Sequence, residues 1–273
     1  MEKPAKKQLI FGTGLSSSKD YESLLACCNA AIESGIICFD TAPSYRSEEM
    51  LGRVLAQVVK EKQLERYQVY VQTKIDPIQM YEDKVEAHVD KTLEAMGLDY
   101  FDTLLIHWPV YKYVRRTWEA MKRVKQHGKV RNLGICNLRI EHLRELKEIG
   151  IIPEVLQIER HPLNIFETER QFCYDNDICL QDYSPLCKMH PKLKESDQFK
   201  AIAENHHCGI GEVILKWHIQ TGASPIFTST KVSRIKNYAQ LNDIELSSEE
   251  LKEIASHNIN YKLYLESLIC PGF

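Results

Sequence analysis

Eight short apolar runs, most of them rich in β-branched residues, set the strongest limit on what this chain can fold into. They read QLIFG from position 8, IICFD from 36, VYVQTKI from 69, DTLLIH from 102, VRNLGI from 130, EVLQIE from 154, ICLQDY from 178 and SPIFTS from 224. Runs this brief, with little polar alternation, suit strands covered on both faces. Apolar residues at helical spacing lie between them. Leu24, Leu25, Cys28, Ala31 and Ile32 precede Gly35; Val85, Val89, Leu93 and Met96 precede Gly97; Leu143, Leu146 and Ile149 precede Gly150. Each stripe thus stops at a glycine able to take the left-handed conformation that ends a helix. Trp118, Met121 and Val124 form a similar stripe before Gly128, and GEVILKWHIQTG and SRIKNYAQL supply helices late in the chain.

Strand and helix that alternate in this way imply parallel strands joined by right-handed crossovers, in an open doubly wound sheet or a closed eight-fold barrel. Eight units within 273 residues suit the barrel, and no Pro- or Ser-rich linker divides the chain. After the first strand, FGTGLS has one GxG only and lacks the GxGxxG of a dinucleotide-binding Rossmann unit. The expectation is one (β/α)8 TIM barrel domain over residues 1–273, with its site at the C-terminal ends of the strands.

Lys and Arg number 35 against 38 Asp and Glu, a formal net charge of -3. That balance offers no field for gathering nucleic acid or an anionic membrane, so the expected partner is a small molecule. No apolar run approaches the roughly 20 residues of a membrane span, and MEKPAKKQLIFG has basic residues with no apolar stretch behind them. A cytoplasmic protein is expected. Nine cysteines, an odd number without a CxxC pair, do not make a disulfide framework. Cys187, His190, His206, His207 and Cys208 lack the spacing of a zinc site, and no metal is expected.

In such a barrel the polar groups at strand ends carry the chemistry. Asp40, Lys74, His107 and Gln157 occupy four of those ends, and Tyr45 lies on the loop after Asp40. Singly, each has an ordinary explanation as rim charge, satisfied core imidazole or packing. Together they suit proton transfer. A phenol, with a pKa of about 10, gives up its proton poorly near neutrality unless a cation stabilises the phenolate. Lys74 would be that cation, Asp40 would hold it charged and oriented, and His107 would complete a polar wall against a substrate oxygen.

With FDTAPSYRSEEMLG, TKI, LLIHWP, RNLGICNL, QIERHP, DYSPL and SRI in this order, the chain resembles the aldo-keto reductases over nearly its whole length. The resemblance implies a catalytic tetrad of Asp40, Tyr45, Lys74 and His107, hydride transfer from a reduced nicotinamide to a carbonyl carbon, and Tyr45 as general acid. It also implies cofactor contacts: Thr13 and Asp40 on the first two strand ends, Asn137 and Gln157 on the carboxamide, Tyr183 stacked on the nicotinamide, and Ser184 and Leu186 along the pyrophosphate. Trp108, with Tyr45 and His107, would border the substrate.

Four positions depart from the family's usual pattern. Cys136 stands where a serine often precedes the carboxamide Asn, Leu156 where an asparagine often precedes the Gln, and Gly14 where an aromatic wall is common. Thr228 replaces the lysine that commonly shares the 2'-phosphate with an arginine, here Arg234, while Ser229, Thr230 and Lys231 remain as donors. The implied cofactor is NADPH, with NADH use open, and the expected protein is a monomer acting on a small aldehyde or ketone. Lys188, Met189, His190 and Tyr111 are candidates for the opening, with the tail LYLESLICPGF. Two rival readings are a non-catalytic nicotinamide-nucleotide-binding barrel, and a metal-dependent barrel hydrolase, which would need an early HxH that is missing here.

Overall fold

The computed structural model describes residues 7–14 and 20–265. Its elements run β1 (Ile10–Gly12), α1 (Tyr21–Glu33), β2 (Cys38–Asp40), α2 (Glu48–Glu61), β3 (Tyr70–Ile75), α3 (Pro77–Glu82) and α4 (Val85–Met96). They continue through β4 (Phe101–Ile106), α5 (Tyr111–Gln126), β5 (Val130–Cys136), α6 (Ile140–Glu148), β6 (Val155–Glu159) and α7 (Glu167–Asp175). The last third holds β7 (Cys179–Tyr183), α8 (Pro191–Lys194), α9 (Asp197–Asn205), α10 (Ile210–Gln220), β8 (Ser224–Phe227), α11 (Val232–Tyr238) and α12 (Ser248–Ser256). All eight strands pair in parallel in chain order, and β8 closes on β1 through Ile10 opposite Ile226 and Phe11 opposite Phe227. This is the (β/α)8 TIM barrel that the alternation predicts.

Strand side chains alternate between two environments. Phe39, Val71, Leu104, Ile106, Leu133, Ile135, Leu156 and Leu180 are buried in one core cluster with helix residues such as Leu51, Val54, Val89, Leu93 and Met121. Each such burial contributes on the order of 1.5–3 kcal/mol, so this shell of contacts holds the frame that fixes the strand ends. The intervening positions turn inward, where Ile10, Cys38 and Ile226 pack together and Asp40, Gln72, Lys74, Gln157 and Gln181 form a polar layer.

Two glycines carry distinct loads. Gly97 caps α4 at φ +64, the left-handed conformation its position at the end of the stripe predicts. Gly52 lets α2 lie directly on the end of α4, since a Cβ there would sit 2.4 Å from the Met96 carbonyl oxygen. No apolar stripe in the sequence announces α3, α7, α8, α9 or α12. Of these, α7 buries only Glu169 and Cys173 and so offers no apolar stripe to read. In contrast, α12 begins with a reciprocal cap between Ser247 and Glu250, and that Ser-x-x-Glu signal is present in the sequence.

Candidate active site

A three-residue turn accounts for the closeness of Asp40 and Tyr45. After β2 the chain makes one 3-10 turn over Pro43–Tyr45, with proline at its start and Arg46 at φ 56 at its end. Pro43 pre-sets its own φ and Arg46 reverses the path before α2, so the Tyr45 ring lies across the barrel mouth. The turn is tied from outside too, because the Ser44 N–H donates to Asp76 Oδ2 at 2.9 Å.

Lys74 is fully buried, and its Nζ donates to Asp40 Oδ1 at 2.7 Å and to the Thr41 carbonyl at 2.9 Å. The same Nζ lies 4.8 Å from the centroid of the Tyr45 ring. Asp40 Oδ2 accepts from Gln72 at 2.7 Å and from Gln157 at 3.2 Å, and both amides also reach Gln181 Oε1. This carboxylate is therefore held at both oxygens by three side chains from two other strands, Lys74 and Gln72 of β3 and Gln157 of β6. His107 stands edge-on to Tyr45, ring centroids 5.6 Å apart, with Nε2 3.5 Å from Tyr45 Oη. Its Nδ1 lies 2.5 Å from Asp76 Oδ1.

The charges in this cluster respond to opposing influences. Burial pulls the Lys74 ammonium toward neutrality, but the charge and hydrogen bond of the adjoining Asp40 carboxylate, together with Tyr45 and Cys136, outweigh it and hold the lysine above its ordinary value. Burial likewise pushes Tyr45 up to about 12. Lys74 does draw the phenol down, as the sequence reading expects, yet desolvation is the larger influence and the phenol stays protonated. Burial and the nearby lysine depress His107 despite its carboxylate partner.

A cavity of about 660 Å³ opens above these groups. Of the residues expected from sequence, its wall includes Asp40, Tyr45, His107, Trp108, Asn137, Gln157, Tyr183, Ser184 and Leu186, with Thr228 and Arg234 also on it. Asn137 Nδ2 donates to the His107 carbonyl at 3.0 Å, and its Oδ1 accepts from the Tyr183 hydroxyl at 2.8 Å. Asn137 and Ser184 take φ values of 60 and 51, left-handed conformations that cost side-chain-bearing residues energy and tend to cluster at functional sites. Gly14 lines the wall beside Tyr45, where a Cβ would already touch the ring at 3.4 Å.

Several other expected residues lie apart from the cavity wall. Thr13 is buried and braces the turn, donating to the Asp40 carbonyl at 3.0 Å and meeting the Ser47 hydroxyl at 2.9 Å. The Ser229 hydroxyl closes a tight turn on Lys231, accepting from its N–H and donating to its carbonyl, and Thr230 is exposed. Lys188 and Met189 border the opening, whereas His190 packs against Tyr261 with the rings tilted by 56° and Tyr111 bonds Glu145. Cys136 packs inside the barrel with Leu105, Val155 and Cys179, and Leu156 faces the helices. Residues 266–273 of the tail, including Cys270, lie outside the described residues. Among the described residues no three His, Cys, Asp or Glu side chains converge to hold a metal, and no helix is long and apolar enough to cross a membrane.

Two carboxylates at the mouth escape the sequence reading. Asp76, in KIDP, looks like a helix cap before proline, and it does cap α3 with Gln79 while also holding His107. Glu159, the inward residue after Gln157 on β6, accepts from the Leu263 N–H at 2.6 Å and the Tyr264 N–H at 3.0 Å. It thereby sets Tyr264 on the cavity wall, 5.9 Å from Tyr183. Period-two alternation along β6 is the signal that could have found it.

The model of the Aldo/keto reductase family matches residues 8–259. Glyoxal reductase of Bacillus subtilis (strain 168) is 34% identical over 250 residues, covering 91% of this chain and 88% of its own. The 9,11-endoperoxide prostaglandin H2 reductase of Trypanosoma cruzi (strain CL Brener) is 32% identical over 249 residues, covering 90% and 87%. The crystal structure of a Bombyx mori aldo-keto reductase in complex with NADP superposes with a TM-score of 0.87 at 27% identity, covering 95% of this chain and 91% of that one.

Proposed function

Since the chain belongs to the Aldo/keto reductase family, we propose that it is an NADPH-dependent reductase of small aldehydes and ketones, able to oxidise the corresponding alcohols in reverse. We infer that residues 1–273 act as one catalytic domain, as a cytoplasmic monomer, and that NADH can replace NADPH. A cavity of this size with one aromatic wall and amides at its floor fits a nicotinamide ring: Tyr183 offers the face, and Asn137 and Gln157 the amides. Ser184 and Leu186 would flank the pyrophosphate, and Arg234, with Ser229 and Thr230 on the neighbouring turn, would serve the 2'-phosphate. When bound, the reduced cofactor supplies a hydride.

What the protein's own residues contribute is the proton and the charge to follow it. Tyr45 Oη holds the proton to be given to the substrate oxygen, and its upward-shifted pKa keeps that proton in place until the oxygen turns basic. As the proton leaves, Lys74, held charged by Asp40, stabilises the phenolate left behind. His107 and Trp108 border the substrate oxygen and exclude water from it. The observation that carries this reading is the buried Lys74 and Asp40 pair set directly behind a protonated phenol at a cavity wall.

The test is Tyr45→Phe, which removes the transferable proton and keeps the ring. Carbonyl reduction should fall on the order of 10²-fold or more, while cofactor affinity, followed by quenching of tryptophan fluorescence, stays within about twofold. Near-parental reduction of a good substrate by the variant would remove Tyr45 as the acid.

A further inference from the structure

His107 is gripped from its far side. Asp76 Oδ1 lies 2.5 Å from Nδ1, and Asp76 Oδ2 is fixed by the Ser44 N–H at 2.9 Å. The Asp76 backbone is fixed as well, its N–H bonded to Gln79 Oε1 at 2.9 Å and Pro77 following it. An ionised carboxylate can only accept, so the shared hydrogen sits on Nδ1. From this geometry we propose that Asp76 is a positioning residue that fixes His107 as the Nδ1–H tautomer, so that its bare Nε2 at the cavity selects carbonyl compounds bearing a hydroxyl on the adjacent carbon. The inference rests on the carbonyl-reductase reading and names the substrate class of that site.

One hydrogen decides the selection. Tyr45 Oη lies 3.5 Å from Nε2 and has a single proton to donate. Once that proton points to a substrate carbonyl oxygen, Nε2 is an acceptor without a donor in a buried site, which is unfavourable. A hydroxyl on the neighbouring carbon satisfies it, since two oxygens on adjacent carbons can span a separation of this kind. A simple ketone instead sets its own lone pairs against that of Nε2. The charged and titratable groups facing the imidazole are Asp76 after β3, Lys74 on β3, Asp40 on β2 and Tyr45 on the turn after β2. Burial and Lys74 outweigh the two carboxylates, and the ring stays neutral near pH 7. Lower pH adds a proton at Nε2, turns it into a donor and erodes the selection.

The experiment compares parent and Asp76→Asn, a change that keeps a helix-capping side chain before α3 and lets either imidazole nitrogen carry the hydrogen. Reduction of hydroxyacetone and of butanone is followed with NADPH and with NADH. The ¹⁵N spectrum of the free protein, with His107 assigned by its loss in His107→Gln, reads the tautomer without turnover. In the parent we expect the Nδ1–H form and a preference for hydroxyacetone of about tenfold or more in kcat/KM. In Asp76→Asn the ¹⁵N signals should move toward a mixture and the preference should shrink to within about threefold. A parent spectrum of the Nε2–H form, or an equal preference in both proteins, overturns the inference. If the parent reduced no aldehyde or ketone with either cofactor, the reductase reading would fail, and the ¹⁵N spectra alone would still decide the role of Asp76.

Discussion

Replacing Lys74 by methionine tests the electrostatic core of the proposed mechanism. The ammonium lies 4.8 Å from the centroid of the Tyr45 ring with no exposed side-chain surface. At an effective dielectric of about 20, a unit charge at that distance stabilises a phenolate by roughly 3 kcal/mol. If most of this appears in the transition state, kcat/KM for carbonyl reduction should fall by roughly 10²-fold. Folding is a separate matter, because Asp40 loses its counter-charge, and breaking a buried pair typically costs about 3–5 kcal/mol. Gln72 and Gln157 still donate to Asp40, which tempers that loss. Thermal melts show whether the variant is folded at the assay temperature, and a double-mutant cycle isolates the coupling. In a Tyr45→Phe background there is no phenolate to stabilise, so adding Lys74→Met should change residual activity by no more than about threefold. An equal loss in both backgrounds would mean that the lysine acts through some group other than Tyr45.

Two further outcomes follow from the same structure. Arg234→Ala should weaken NADPH by several-fold to about a hundredfold, the range of a charge-assisted hydrogen bond, and Thr228→Lys should tighten it in a salt-sensitive way. NADH should be nearly unaffected by either, and dissociation constants for both cofactors check this; equal effects on the two would remove Arg234 from phosphate recognition. His218 is fully buried beside Asp182 and Arg160, and burial holds it below its ordinary value, so the unfolded chain takes up its proton first as pH falls below about 6.5. Stability should therefore decline below that pH, and melts of His218→Gln between pH 7 and pH 5 should show a shallower slope than the parent.

Much of the fold is legible because barrel strands buried on both faces leave nearly continuous apolar runs, and the stripes before Gly35, Gly97, Gly128 and Gly150 each end at a glycine of positive φ. Helices that bury little, such as α7, leave no such trace. At the site, Asp40, Lys74 and His107 stand out as polar groups ending apolar strands, and the structure brings them together with Tyr45. Asp76 stays hidden for a physical reason. Its position before Pro77 is fully explained by capping α3, and the second use of the same carboxylate depends on the approach of β4, which no local pattern encodes. At Ser229 the hydroxyl also closes a turn on the Lys231 backbone, a local use that residue spacing does not reveal.

The inward polar layer explains how so much charge persists in a barrel core. Asp40 and Lys74 would be costly alone, yet each of their polar groups has a partner drawn from a different strand: Gln72 from β3, Gln157 from β6, and Gln181 from β7 linking both amides. Because these partners sit on strands whose opposite faces are locked into the helix shell, the carboxylate cannot relax toward solvent when Tyr45 loses its proton. The ammonium is thus aimed before any charge develops, and little reorganisation would be needed as a phenolate forms. It follows that the phenol's high resting pKa and its proposed role as acid are compatible. In that role the lysine would act chiefly on the state in which the proton is leaving, whereas desolvation governs the state before it.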